Sequence, residues 1–228
     1  VDYLKTALYA AGGWLLYEML RGGNAMARPT GLVKFGSLAG VDVHWGTMSK
    51  TGTRELMPTF LAELEAAFEE IWRWCPHGQA DAIVSAGAFV DRDGGPGDRH
   101  AAGAAFDLVS IYWVGRPPLV ASFAQKDPHR YLAVEASLRR HCAQVLDYWY
   151  NSAHQSHFHI DDREAARGFS TASRADVVFV QAVCKHILSR DVEIDGAWGS
   201  RTAAAVGDWM GLGWLGWLEN VAHLGWAF

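Results

Sequence analysis

Residues 154–162 read HQSHFHIDD, three histidines within six positions and two aspartates directly after them. Side chains two apart on a β-strand point the same way, so the alternation puts His157 and His159 on one face and sends Phe158 and Ile160 into a core. The stretch is predicted to be a half-buried strand. Two imidazoles on one side of a rigid strand make half of a metal site. A tetrahedral catalytic zinc needs one or two further N or O ligands and an open position for water.

The other concentration of such groups is HAAGAAFD, residues 100–107. Between His100 and Asp107 every residue except Phe106 is Ala or Gly, which lets the chain before the next strand curl back tightly so that both end groups meet. A carboxylate with two imidazoles suits zinc well. A lone histidine on an apolar strand is more often a hydrogen-bonded core residue than a ligand. H-x(6)-D followed some fifty residues later by H-x-H favours the metal site.

Around these two stretches the periodicities sketch an α+β chain. Leu61, Leu64, Phe68 and Ile71 or Trp72 recur at spacings of three and four within residues 54–74, an amphipathic helix stopped by Pro76 and Gly78. ADAIVSAGAFV (80–90) reads as a buried strand, DRDGGPGDRH (91–100) as a loop and AAGAAFDLVSIYWV (101–114) as a second strand. A second helix is predicted over 129–145, a polar connection over 161–176 and a separate small helical module over about 175–228. Residues 31–54 hold short apolar runs and turns with little periodicity.

The first 30 residues form an apolar helix and a Gly/Pro-containing linker by composition. Lys5 and Glu18 leave 12 uncharged residues between them, short of the roughly 18 to 20 that span a bilayer. A packed or partner-docked helix, an interfacial anchor, and a trimmed export or membrane segment all fit.

The 228 residues are half hydrophobic and one-fifth charged, which describes a globular chain with one well-buried core. A net charge of -5, with basic residues scattered among acids, excludes the basic footprint of a nucleic-acid binder. Cys75, Cys142 and Cys184 are too widely spaced for a zinc ribbon. Four of the eleven tryptophans, Trp209, Trp214, Trp217 and Trp226, fall in the last twenty residues. That Trp-rich end is a candidate to pack on the rest of the chain, on a protein partner or on a membrane.

HAAGAAFD resembles the H-x-x-G-x-A-x-D motif, and HQSHFHID the H-x-x-H-x-H ending, of the LAS-type zinc peptidases that cut peptidoglycan peptides. That group includes D-alanyl-D-alanine carboxypeptidases, the penicillin-insensitive murein endopeptidase and bacterial extensin-like proteins. The order of AFVDR, RHAAGAAFDL and RRHCAQVLDYWYNSAHQSHFHIDD is most similar to the extensin-like branch, over about residues 55–165. The resemblance implies a zinc peptidase domain over 31–170, built as a small antiparallel sheet with covering helices.

It further implies His100, Asp107 and His159 as Zn2+ ligands and His157 as general base or proton shuttle. His154 matches a histidine lining the same site. Arg92 matches an arginine that holds the scissile carbonyl or a substrate carboxylate, with a solvated loop residue as its alternative. Asp161 stands at the right spacing to orient the His159 imidazole, or is an ordinary surface carboxylate. Two positions depart from the pattern. Asp98 stands where many relatives have Ser, and Asp91 where the extensin-like pattern often has the Cys that partners Cys142.

The C-terminal segment resembles the three-helix peptidoglycan-binding module through Gln181, Asp195, Gly196, Trp198, Gly199, Thr202 and Ala205. Gln181, Asp195 and Trp198 are its candidate wall-binding residues, Trp198 either stacking on a sugar or filling a small core. Together the resemblances imply a peptidoglycan peptidase of the cell envelope, periplasmic or secreted, or one carried in a phage virion or lysis system. A non-catalytic wall-binding component that keeps the zinc site, and a zinc enzyme acting on another small peptide, remain open.

Overall fold

The computed structural model describes residues 28–227 apart from 93, 94, 96 and 164–167. The expected N-terminal apolar helix therefore falls outside the described residues. Among those described, no helix is long and apolar enough to cross a membrane.

The stretch that lacks periodicity contributes four short strands: β1 (Val33–Phe35), β2 (Ser37–Leu38), β3 (Val41–Trp45) and β4 (Arg54–Leu56). β1 and β4 pair with each other as a two-stranded ribbon. Helix α1 (Pro58–Trp74) follows, with a proline in its first turn, where a missing N–H costs nothing. Then come β5 (Ala82–Gly87), β6 (Ala105–Tyr112), β7 (Leu119–Val120), α2 (Pro128–His141), β8 (Gln144–Leu146) and β9 (Phe158–Asp161). Three helices complete the chain: α3 (Arg174–His186), α4 (Ser200–Val206) and α5 (Gly213–Gly225).

The main sheet has seven strands in the order β2-β3-β5-β6-β9-β8, with β7 beside the far end of β6. It is larger than the small antiparallel sheet that the resemblance implies, and it is mixed, because β3 and β5 run parallel. The cause is α1: a helix between two neighbouring strands returns the chain to the same end of the sheet, so they must pair in parallel. Every other strand pair in it is antiparallel.

One face of this sheet is covered by helices. Phe60, Leu64, Phe68 and Ile71 of α1 are fully buried, and Phe68 meets the strand residue Phe106 edge to face at 6.5 Å. Tyr131 of α2 stacks on Phe158 of β9 at 4.2 Å. The predicted helix over 129–145 ends earlier, at His141. Nothing local stops it. Val145 pairs with Ile160, and its carbonyl accepts from buried Arg139, so strand pairing overrides helix propensity at the edge of the sheet.

The C-terminal helices share one apolar core with the sheet. α5 lies along α2, burying Trp217, Leu218, Val221 and Ala222. The Trp-rich ending is thus largely core: Trp217 is buried, Trp214 stacks on it at 5.4 Å, and Trp226 meets Trp113 at 6.1 Å. The closest approach is at Gly225, where an added Cβ would stand 2.5 Å from the His129 carbonyl oxygen and 2.7 Å from the Ala133 Cβ. Gly225→Ala is therefore expected to destabilise the chain by about 1–3 kcal/mol through overpacking, read as a lower midpoint in thermal and urea unfolding.

Candidate metal centre

His100 sits in the connection between β5 and β6, and the turn that places it depends on Gly103. That residue has φ +69°, a left-handed conformation, and an added Cβ would lie 2.4 Å from the Leu32 side chain. The turn closes by Gly103 N–H donating to the His100 carbonyl (3.0 Å) and Ala104 N–H to that of Arg99 (2.8 Å). The small residues between His100 and Asp107 thus perform the curl expected of them. Gly87 keeps the other wall open, since a Cβ there would meet Asp107 Oδ2 at 3.1 Å and His100 Cε1 at 3.6 Å.

Asp107 and His159 are direct cross-strand partners in the antiparallel β6–β9 pair. Phe106, Phe158 and Ile160 point into the core, so Asp107 and His159 share the face away from the helices. Asp107 is the hub. Its Oδ2 lies 3.1 Å from His100 Nε2, and its Oδ1 lies 2.9 Å from His159 Nδ1 and 3.7 Å from His157 Nε2. Among the described residues, His100, Asp107 and His159 form a group that could hold a metal ion, with one donor atom from each within 4.8 Å of the others.

The surroundings of the two imidazoles suit a cation. His100 Nδ1 faces the Ala88 carbonyl oxygen at 2.8 Å. A carbonyl only accepts, so Nδ1 carries the proton and Nε2 is left for a metal. His159 directs Nδ1 at the site, while its Nε2 lies 3.4 Å from Oδ2 of Asp161. Asp161 is fully buried, and its Oδ1 accepts from the Arg163 N–H at 2.9 Å. It is thus a buried carboxylate beside His159, not a surface one. Two imidazoles, a carboxylate and oriented outer nitrogens fit the donor set of a divalent transition metal.

Charge is strongly coupled here. Burial acts against the Asp107 carboxylate, but His100 and His159 outweigh it and hold Asp107 well below the usual carboxylate range. Burial likewise opposes a charged His159, and the hydrogen bonds to Asp107 and Asp161 override it, raising the imidazole to about 9. His157 is lowered by burial. His154 is lowered to about 4, first by burial and then by the neighbouring His157 and His159.

His154 lies outside β9, in a short 3-10 turn over Ser152–His154, yet its ring comes within 5.5 Å of His157 and 5.8 Å of His159. The sequence reading missed what holds it: the Asn151 side chain accepts from the Ala153 N–H (2.9 Å) and from His154 Nδ1 (2.8 Å). The N-S-A-H spacing carries that signal, because Asn readily bonds the backbone two residues on. Arg92 lies on the loop after β5, with its Nε donating to Asp98 Oδ2 at 2.8 Å. Asp98 Oδ1 accepts from the Ala101 N–H at 3.0 Å. The carboxylate that replaces the expected serine thus ties Arg92 to the His100 turn.

In the C-terminal segment the three expected contact residues face inward to different degrees. Gln181 is buried on α3, donates to Asp195 Oδ1 (2.8 Å) and Thr202 Oγ1 (3.1 Å), and accepts from the Asp195 and Gly196 N–H groups (3.1 and 2.8 Å). It therefore fastens the Asp-Gly turn to the helix. Asp195 is exposed but uses its carboxylate within that turn, accepting also from the Ala197 N–H at 2.8 Å. Trp198 is half-buried and packs edge to face on Phe169 at 5.3 Å.

No family model, curated protein or solved structure matches the chain.

A cation entering this trio must displace the proton that His159 holds. With a folded value of about 9, His159 is protonated at neutral pH, so binding weakens as pH falls below that value. Zinc titration of the metal-free protein near pH 7 is expected to release about one proton from this group, and the release from His159 should vanish as pH rises through its value. Calorimetry in buffers of different ionisation enthalpy measures the count.

Proposed function

We propose that the chain is a zinc-dependent peptidase acting on peptidoglycan stem peptides or crosslinks. The observation that carries this is the convergence of His100, Asp107 and His159 on one point of the open sheet face, with His157 and His154 alongside. A zinc ion, when bound, polarises a carbonyl and lowers the pKa of its water towards about 7.

The chain's own groups divide the remaining work. His100, Asp107 and His159 hold the cation, and Asp161 and the Ala88 carbonyl keep the two imidazoles oriented. The His157 imidazole, 3.7 Å from Asp107, takes a proton from the attacking water and returns it to the leaving amine. His154 lines the same side. Arg92, held by Asp98 on the loop after β5, supplies a guanidinium for a substrate carboxylate or the scissile carbonyl. The Asp195–Trp198 turn, held by Gln181, presents Trp198 as a partial stacking surface for the wall polymer, raising local enzyme concentration on it. On this reading the chain works in the cell envelope, or in a phage particle or lysis system that reaches it.

Digestion of purified sacculi tests the reading. Wild type is expected to hold about one zinc and to release peptides whose masses name the bond cut. His159→Ala should lose both zinc and activity, and His157→Ala should keep zinc while turnover falls by about 10²–10⁴-fold. Zinc binding and retention on sacculi without any release would overturn catalysis and leave a metal-stabilised wall-binding component. Peptide hydrolysis without retention would point to a different small peptide substrate.

A further inference from the structure

Arg174, the first residue of α3, joins the two regions that the sequence treats as separate. Its Nε donates to the Tyr150 carbonyl oxygen at 3.1 Å, and its Nη1 donates to the Asp195 carbonyl oxygen at 2.7 Å. Tyr150 opens the turn that ends at His154. The Tyr150 N–H donates to Asp147 Oδ1 at 2.8 Å, the His154 N–H to the Asn151 carbonyl at 3.2 Å, and the Tyr150 and His154 rings stand 5.5 Å apart.

The far end of the bridge is equally well fixed. Gln181 holds the N–H groups of both Asp195 and Gly196. Gly196 has φ +74°, and a Cβ there would lie 2.3 Å from Arg174 Nη1 and 2.8 Å from its Cζ. The glycine that makes the Asp-Gly turn therefore also makes room for the guanidinium.

We propose that Arg174 is a positioning residue for the metal site: it clamps the Tyr150–His154 turn against the Asp195–Gly196 turn. The C-terminal helices then form part of the site's support as well as a wall anchor. The inference rests on the peptidase reading of that site. It differs from a plain anchoring role in one respect, because an anchor acts only on polymer, whereas positioning of His154 acts on every substrate.

The test compares wild type, Arg174→Gln and Gly196→Ala on a soluble stem peptide free of glycan. Bound zinc and hydrogen exchange of the Tyr150, Ala153 and His154 amides are followed in parallel. Both variants are expected to lower kcat by about ten- to a hundredfold, as a displacement of order 1 Å does. KM should stay within about twofold, zinc content should be unchanged, and the three amides should exchange about tenfold faster than in wild type. Unchanged kcat and unchanged exchange, with only retention on sacculi reduced, would overturn the proposal. If wild type cleaves no peptide, the peptidase reading falls and exchange alone decides: faster exchange upholds positioning, and unchanged exchange sinks it. Gly196→Ala keeps the guanidinium while displacing it, so it decides if Arg174→Gln fails to fold.

Discussion

The antiparallel pairing of β6 with β9 is the constraint on which the site depends. Its register sets Asp107 opposite His159 and Ala105 opposite Asp161, so two residues of the candidate metal centre and the carboxylate beside them come from two strands far apart in sequence. A slip of either strand by one residue would turn its own site residue, Asp107 or His159, into the core and its own core residues, such as Phe106 or Phe158, out to the open face. Burial of Phe106, Leu108, Phe158 and Ile160 opposes that slip, each side chain contributing roughly 1.5–3 kcal/mol on transfer from water. The hydrophobic core thus fixes the geometry of a polar site on the other face of the sheet.

The edge beyond β9 is held by a different force. Arg139 of α2 is almost fully buried and pairs with Glu135 at 2.8 Å and Asp176 at 3.0 Å. It also donates to the carbonyls of Val145 (2.8 Å) and Ala175 (2.9 Å), and its guanidinium lies 4.7 Å from the Phe179 ring centroid. One side chain therefore joins α2, β8 and α3. Burial and the nearby Asp147 keep Glu135 well above the ordinary carboxylate range, and burial raises Asp147 to about 6. Asp147 nevertheless accepts from the Trp149 and Tyr150 N–H groups, which starts the turn that carries His154. Buried charge of this kind is weak evidence for stability, and what it contributes here is a hydrogen-bonded link between three elements.

Much of the site is legible in the residues themselves. Alternation in HFHI gives the face of His157 and His159, and the run of Ala and Gly between His100 and Asp107 announces a tight return. The helix around Leu64 and Phe68 is equally plain from its spacing. The strands between residues 33 and 56 are not, because pieces of two to five residues carry too short a pattern to show a period. The early end of α2 is hidden for another reason: the residues after His141 are compatible with helix, and only the partner strand β9 draws them out.

What the sequence by itself determined is which groups are chemically able to hold a cation, since donor type and strand alternation are local properties. It also determined where the chain can return tightly, in the run of Ala and Gly between His100 and Asp107. Tertiary structure alone decided the rest. It buried Asp161 beside His159, placed Arg174 behind the turn that carries His154, and merged the C-terminal helices into the core of the sheet. Each of these depends on packing between segments distant along the chain, and such packing is fixed by all elements jointly, which no single stretch encodes.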